Sequence, residues 1–319
     1  MIVTLNINIE DFPIIVIAGP TASGKSDFAL QIAKELPCTI INFDSMQVYK
    51  DLKILTARPT EDQCKNNPHE LYGFLNSESE FSAVLWRNLA VKKIKENIIN
   101  NRVPLLVGGT GFYLKSLMDG FSSVPKSSNR YKIKAENELI KFGKDLFYEK
   151  IKKIEPRIED SIAKNDTQRL IRFYSVWLQT GKSLIYYHNT EKFSKKFFKN
   201  FIKVRLCPDR GVLRKQISNR FYEMIERGAI REVESLRDLN PKLPIMKAHG
   251  VRELLLCNEG KLSLEEASTR SINQIRQYAK RQDTWFKNQF ESDYEIIDYK
   301  CNVEKHINKI LNLYNKFDF

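Results

Sequence analysis

Apolar positions along the chain follow two rhythms, and their alternation predicts the architecture. Short continuous apolar runs stand at Ile14–Ile17, within Thr39–Asp44 (TIINFD) and at Val103–Val107 (VPLLV). Runs of that length are the pattern of strands buried on both faces, as in a parallel sheet covered by helices. Val204–Leu206 and Tyr294–Asp298 read as further strands. Between the strands the spacing becomes helical. Ala29, Ile32, Ala33 and Leu36 share one face, and Phe81–Asn100 reads as an amphipathic helix. Its buried side is marked by Phe81, Val84, Leu85, Leu89, Val91, Ile94 and Ile98. Leu213–Ile225 is helical with Gly228 placed to end it, Pro244–Leu256 is a loop entering a helix, and Ser271–Phe290 is helical again. Strands alternating with helices predict the α/β class, a parallel sheet flanked by helices.

The pattern breaks around Gly120–Asn129, where Ser, Pro and Lys dominate. This predicts a core domain of residues 1–122 and 203–319, interrupted by a mainly helical lobe at 123–202. Within the lobe Asn165–Arg172 begins a helix, capped by Asp166 or Thr167, and Arg169 and Arg172 share a face. Thr180–Ser183 (TGKS) mimics the end of a phosphate loop. It is a decoy, because Val176 stands where the first glycine is required and helix precedes it. Glu191–Lys203 interleaves Lys with Phe and reads as an amphipathic segment with its Phe side packed inward, in preference to a nucleic-acid face. No internal repeat is visible.

Composition adds little until charge is considered. A chain of 319 residues, 42% hydrophobic and 29% charged, can bury a large core. Met1–Asp11 lacks the apolar run of a signal peptide, and no stretch is apolar enough to span a bilayer. Five scattered cysteines form neither a zinc nor a disulfide pattern, which predicts free thiols and a cytoplasmic location. The net charge of +13 is more telling. Lys126–Lys203 carries 19 Lys/Arg against 9 Asp/Glu, a net of +10 in about a quarter of the chain. Uniform compositional drift would not concentrate it there. A phosphate backbone lying across the region would explain it.

Chemistry gathers where predicted strands end. Ile14–Ile17 runs into Gly19-Pro20-Thr21-Ala22-Ser23-Gly24-Lys25-Ser26, a full G-x-x-x-x-G-K-[ST] match between a strand and a helix. In that setting glycines let backbone N–H groups turn around a di- or triphosphate, Lys25 adds a point charge, and the Ser26 hydroxyl can hold Mg²⁺. Asp44 ends the second run, and two roles are open to it besides that of a solvated turn residue: a ligand to Mg²⁺-bound water, or a general base. Gly108-Gly109-Thr110-Gly111 ends the third, with three glycines for close approach to a ligand and one hydroxyl. Far downstream, Arg276–Trp285 (RQYAKRQDTW) is a helix with basic residues beside aromatics, the composition of an RNA-contacting surface.

Together these segments resemble the tRNA dimethylallyltransferases. The carriers are GPTASGKS at Gly19–Ser26, DSMQVY at Asp44–Tyr49, TARP at Thr56–Pro59, and Pro68-His69. They continue with LLVGGTGFY at Leu105–Tyr113, DTQRLIR at Asp166–Arg172, RFYEMIERG at Arg220–Gly228, and RQYAKRQDTWF at Arg276–Phe286. The resemblance covers nearly the whole chain and implies a P-loop NTPase-like fold. It implies transfer of a dimethylallyl group from dimethylallyl diphosphate to N6 of adenosine 37, beside adenosine 36, in the tRNA anticodon arm, with Mg²⁺ as cofactor. In that reading the loop grips a diphosphate and no nucleotide is hydrolysed. Lys25 and Arg220 stabilise the departing diphosphate, Asp44 is the general base, and Thr110 places a substrate. The tRNA contacts it implies are Asp44, Ser45, Met46, Gln47, Thr110, Lys132, Gln168, Arg169, Leu170, Ile171, Arg172, Lys280 and Arg281, on a monomeric protein with no membrane attachment. Five positions depart from the family pattern: Leu55, Glu70, Gly73, His249 and Val251. A kinase for a small metabolite shares the phosphate loop but leaves the basic lobe and the RQYAKRQDTW helix without a use.

Overall fold

The structure is a computed structural model, and it describes residues 8–121, 124–190 and 196–317. Among these, six parallel strands form one sheet in the order β3-β2-β4-β1-β5-β6. The strands are β1 (Ile14–Ala18), β2 (Cys38–Asn42), β3 (His69–Glu70), β4 (Val103–Gly108), β5 (Phe201–Leu206) and β6 (Tyr294–Ile296). Every residue of β1, β2 and β4 is buried, as strands covered on both faces require. Helices α1 (Lys25–Glu35), α2 (Glu61–Asn66), α3 (Ala83–Ile99) and α4 (Gly111–Met118) follow the first strands. Then come α5 (Asn129–Ile154), α6 (Thr167–Thr180) and α7 (Leu184–Thr190), and after β5 α8 (Arg210–Glu226), α9 (Ala229–Glu234), α10 (Val251–Asn258), α11 (Leu264–Gln289) and α12 (Val303–Tyr314).

The chain divides into two compact units, residues 1–118 with 196–319, and residues 119–195. The first contains the sheet. Its strand β5 begins at Phe201, paired with Ile14, so Phe201 and Ile202 belong to the sheet and not to the lobe span of 123–202. Register decides this, since Phe201 and Ile202 pair with Ile14 and Ile15 of β1. Of the Lys/Phe segment Glu191–Lys203, residues 191–195 lie outside the described residues. Phe198 is buried, and the Arg87 guanidinium lies over the Phe197 ring, its Cζ 4.8 Å from the ring centroid.

The buried face of α3 differs from the sequence expectation in its first turn. Val84 and Leu85 are about half exposed, while Trp86, Ala90, Val91, Ile94 and Ile98 face the core. Trp86 settles the register: it stacks on Tyr113 at 5.0 Å, and its indole N–H donates to the Asn42 carbonyl at 2.8 Å. A large aromatic with a satisfied polar tip outweighs two aliphatics.

The second unit is helical. Gly143 takes φ +73° within α5. Lys150 then reaches Glu138 at 2.5 Å, although twelve residues of straight helix would separate them by about 18 Å. The two halves of α5 therefore fold back on each other. They close over Phe147, Tyr148 and Ile151, with Leu170, Phe173 and Tyr174 from α6. Asp166 caps α6, accepting from the Arg169 N–H at 3.1 Å, and Gly181 ends it in the left-handed conformation. The TGKS decoy is thus a helix C-terminus.

Candidate active site

Parallel register brings three strand ends together. Ala18 pairs with Gly108, and Asn42 pairs with Val107. The residues that follow, Gly19, Phe43-Asp44 and Gly109-Thr110, therefore leave the sheet side by side. That is the crevice where open α/β sheets bind ligands.

Each loop is built for its position. Gly24 (φ +86°) leads into α1 with no side-chain cap, so the first-turn amides open toward the crevice. A Cβ on Gly24 would lie 2.1 Å from the Tyr299 ring, which covers the loop and whose hydroxyl donates to Asp27 at 3.3 Å. The Ser23 hydroxyl is buried without a partner, and the Lys25 ammonium donates to the Pro20 carbonyl at 2.5 Å. After β2, fully buried Asn42 accepts from the Asp44 N–H at 2.7 Å and donates to the Asp44 and Leu71 carbonyls. This turn presents Asp44, whose Oδ1 also accepts from the Met46 N–H at 2.9 Å. After β4, the Thr110 hydroxyl accepts from the Ser45 N–H at 3.0 Å, joining the second and third loops.

A cavity of about 460 Å³ opens over these ends. Its walls include Ser23, Gly24, Lys25, Ser26 and Asp44, with Arg220, Gln216 and Glu223 from α8. The charges interact. Burial pulls the Lys25 ammonium down to about 7, against the opposing pull of Asp44 and with help from Arg220. Burial also lowers Arg220, with Asp44 and Asp27 opposing it. The Tyr278 phenol is raised by burial and by the Asp44 charge. Asp44, Lys25 and Arg220 therefore feel one another across a single site. Among the described residues no group of three His, Cys, Asp or Glu side chains is arranged to hold a metal. The Ser26 hydroxyl fits a phosphate-bound Mg²⁺, which takes most of its ligands from substrate and water, and the amides of the loop fit the phosphate oxygens.

The glycines after β4 are also required by the packing around them. A Cβ at Gly108 would strike Phe43, at Gly109 Gln282, and at Gly111 the Trp285 ring. They allow close approach of protein to protein, and Gly108 also lines the cavity. Other expected contacts are also redistributed. The Gln47 side-chain amide is held by the Thr56 and Ala57 carbonyls at 2.9 and 3.1 Å, and Met46 packs against the core beneath. Lys280 and Arg281 are exposed on α11.

In the second unit, Lys132, Gln168 and Arg169 are exposed. Leu170 is completely buried, so its side chain holds α6 in place and cannot meet RNA, while partly buried Ile171 packs against the same core. Arg172 ties down the neighbouring segment, donating to the Ser127 hydroxyl and the Pro125 carbonyl, each at 2.9 Å. An i, i+4 pattern of apolar residues around Leu170 was the available signal.

Sequence reasoning missed Gln216, Tyr299, Lys300 and Glu232. The Glu232 carboxylate accepts from the N–H groups of Lys53, Ile54 and Leu55 at 2.6–2.8 Å, which fixes the Thr56–Pro59 wall of the cavity. Of the departing positions, Leu55 and Val251 are buried in one core cluster. Glu70 accepts from Asn97 at 3.0 Å and pairs with Lys93 at 3.3 Å. Gly73 makes room for the Arg58 guanidinium, and the His249 ring lies 4.9 Å from Tyr278.

Known proteins resemble this chain in sequence and in fold. Residues 12–72 match the isopentenyl transferase family model. The chain is 36% identical to the tRNA dimethylallyltransferase of Granulibacter bethesdensis, over 94% of this chain and 97% of that protein. It is 39% identical to that of Pelagibacter ubique, over 96% and 97%. Its fold superposes on the tRNA isopentenylpyrophosphate transferase of Bacillus halodurans with a TM-score of 0.68 and 28% identity, over 96% and 97% of the two chains. It superposes on a eukaryotic dimethylallyltransferase that acts on tRNA with a TM-score of 0.80 and 25% identity, over 96% and 80%. With residues 47–289 matching the family model of the IPP transferases, from just after the Asp44 turn through the α11 helix, the chain belongs to the IPP transferase family.

Proposed function

We propose that this protein transfers the dimethylallyl group of dimethylallyl diphosphate to N6 of adenosine 37 in the anticodon arm of tRNA. The observation that carries the reading is that Asp44 lines the same cavity as the phosphate loop, Lys25 and Arg220. The C1–O bond of the donor breaks, a bond forms between C1 and N6, and diphosphate leaves. Negative charge grows on the diphosphate as it departs, so preorganised amides, Lys25 and Arg220 stabilise the transition state more than the ground state. The exocyclic amine must lose a proton as it attacks, and Asp44 accepts it. A loop base has little pairing to lose on entering the site, a few kcal/mol at most. Mg²⁺, held by Ser26 and the substrate's own phosphate oxygens, would neutralise charge on the leaving diphosphate. Relatives that bear the tRNA dimethylallyltransferase name supply the acceptor class. In this reading the protein works on tRNA in the cytoplasm, as a monomer. Among the described residues no helix is long and apolar enough to cross a membrane.

The test is single-turnover transfer from labelled dimethylallyl diphosphate to unmodified tRNA, with ATP consumption followed in parallel. Wild-type protein should prenylate adenosine 37 and leave ATP intact. Asp44→Asn should slow the chemical step by about 10²- to 10⁴-fold, the usual contribution of a general base, with tRNA affinity within a few-fold of wild type. Rapid transfer by Asp44→Asn would remove the base from Asp44, and ATP turnover would favour a kinase.

A further inference from the structure

Gln282 links two of the three strand-end loops from outside the sheet. It lies on α11 and is 5% exposed. Its Oε1 accepts from the Thr21 N–H at 2.8 Å, and its Nε2 donates to the Gly109 carbonyl, also at 2.8 Å. Thr21 belongs to the phosphate loop and Gly109 to the loop after β4. A Cβ on Gly109 would lie 2.3 Å from Nε2, so this approach requires glycine there. One turn earlier stands Tyr278, whose phenol is raised by burial and by the Asp44 charge. Between Tyr278 and Gln282 stand Lys280 and Arg281, both exposed. A single turn of α11 thus holds the two loops through Gln282 and exposes two cations, Lys280 and Arg281, the latter with its guanidinium 5.8 Å from the centre of the Tyr278 ring.

A buried amide satisfied at both ends by the backbones of two loops has one placement. A shift of α11 by about 1 Å would stretch both bonds past hydrogen-bond range and leave buried polar groups unpaired. The phosphate loop and α11 are consequently seated or unseated together.

We propose that Gln282 is a positioning residue that couples the two substrates. RNA phosphates on Lys280 and Arg281 seat α11; Gln282 then holds Thr21, and with it the phosphate loop, in the shape that receives the diphosphate. The proposal rests on the prenyl-transfer reading above. The two-state element is the contact of Gln282 with Thr21 and Gly109, made or broken, and tRNA and donor both favour the made state. Coupling of this kind is reciprocal: tRNA tightens donor binding by the factor by which donor tightens tRNA binding.

The experiment measures the affinity of full-length protein for the unreactive dimethylallyl thiolodiphosphate, with and without a saturating anticodon stem-loop. Wild-type protein should bind the analogue about tenfold more tightly in the presence of RNA, within the usual range of coupled sites. Gln282→Met keeps the side-chain volume and removes both bonds, so the ratio should fall below twofold. Gln282→Glu keeps an acceptor for Thr21 but loses the donor to Gly109. It should lower the ratio too, and it supplies the same test should the methionine variant be unstable. The ratio is unaffected by a uniform loss of donor affinity, and a purely structural glutamine would shift the melting temperature without moving it. A wild-type ratio near one, or a wild-type ratio retained in either variant, overturns the coupling. Failure of wild-type protein to prenylate tRNA would instead overturn the reading on which it rests.

Discussion

Lys25 carries the pH dependence of donor binding. Its ammonium is held near 7 by burial, against an ordinary value of 10.5. Between those limits the unfolded chain keeps the proton and the native protein does not. The cost of burying the charge is therefore fully present below about 7, and stability rises with pH from there toward 10.5. A bound diphosphate places negative charge beside the ammonium and raises its pKa again, so donor binding takes up a proton above about 7. Calorimetric titration of the thiolodiphosphate at pH 8, in buffers of different ionisation enthalpy, should find uptake approaching one proton per site. At pH 6 uptake should be near zero, and in Lys25→Met the pH 8 uptake should vanish. Equal uptake by Lys25→Met would assign the proton to another group. Lys25 and Asp44 were legible in the sequence because each is fixed by local context, a loop motif in one case and a strand end in the other. Gln282 was not, because its partners lie 261 and 173 residues away and its segment, RQYAKRQDTWF, reads as an exposed basic face. Leu170 failed for the opposite reason: membership of a motif drew it toward the ligand when its burial belongs to the core.

At the scale of elements, five of the six strands and their order of appearance followed from the sequence pattern, while the two-residue edge strand β3 (His69–Glu70), which has no apolar run, and the faces and close approaches did not. The run Val103–Val107 predicts β4 because continuous burial leaves a direct mark. The first turn of α3 misled because Val84 and Leu85 are apolar yet half exposed, and only the stacking of Trp86 on Tyr113 fixes the rotation. The loop after β4 shows a glycine cluster whose packing role was not visible in the sequence. Gly111 begins α4 directly against Trp285 of α11, and a Cβ at this position would lie 2.2 Å from the ring. Gly111→Ala must displace that ring or the backbone, at a cost of about 1–3 kcal/mol for overpacking. Gly211 near the start of α8 has nothing within 4 Å of its Cβ direction, and alanine there is expected to be neutral or slightly stabilising. Thermal denaturation of the two variants should show a drop of several degrees for Gly111→Ala and none for Gly211→Ala. Equal melting temperatures would mean that the α4–α11 contact is not tight.

For the molecule as a whole, the distribution of charge is the feature that composition alone reveals. Of the net +13, +10 lies between Lys126 and Lys203, largely within the unit of residues 119–195. Acidic residues near these cations are partly spent on internal pairs such as Lys150 with Glu138 and Lys152 with Glu159. Exposed cations such as Lys132 contribute to a positive field that screening by salt removes. The donor site has a different character. Its charges are drawn in around a small cavity and held by geometry, so diphosphate recognition depends less on ionic strength. Titration of tRNA between 50 and 200 mM salt should therefore give a log–log slope of about −4 to −5, the release expected when about six phosphates are engaged. The thiolodiphosphate affinity measured across the same range should change much less. Lys132→Glu, on the basic unit, should weaken tRNA binding and flatten the tRNA slope by about one while leaving donor affinity where it was. A tRNA slope near zero, or a slope in Lys132→Glu equal to that of wild type, would place the RNA elsewhere and leave the concentrated charge to solvation alone.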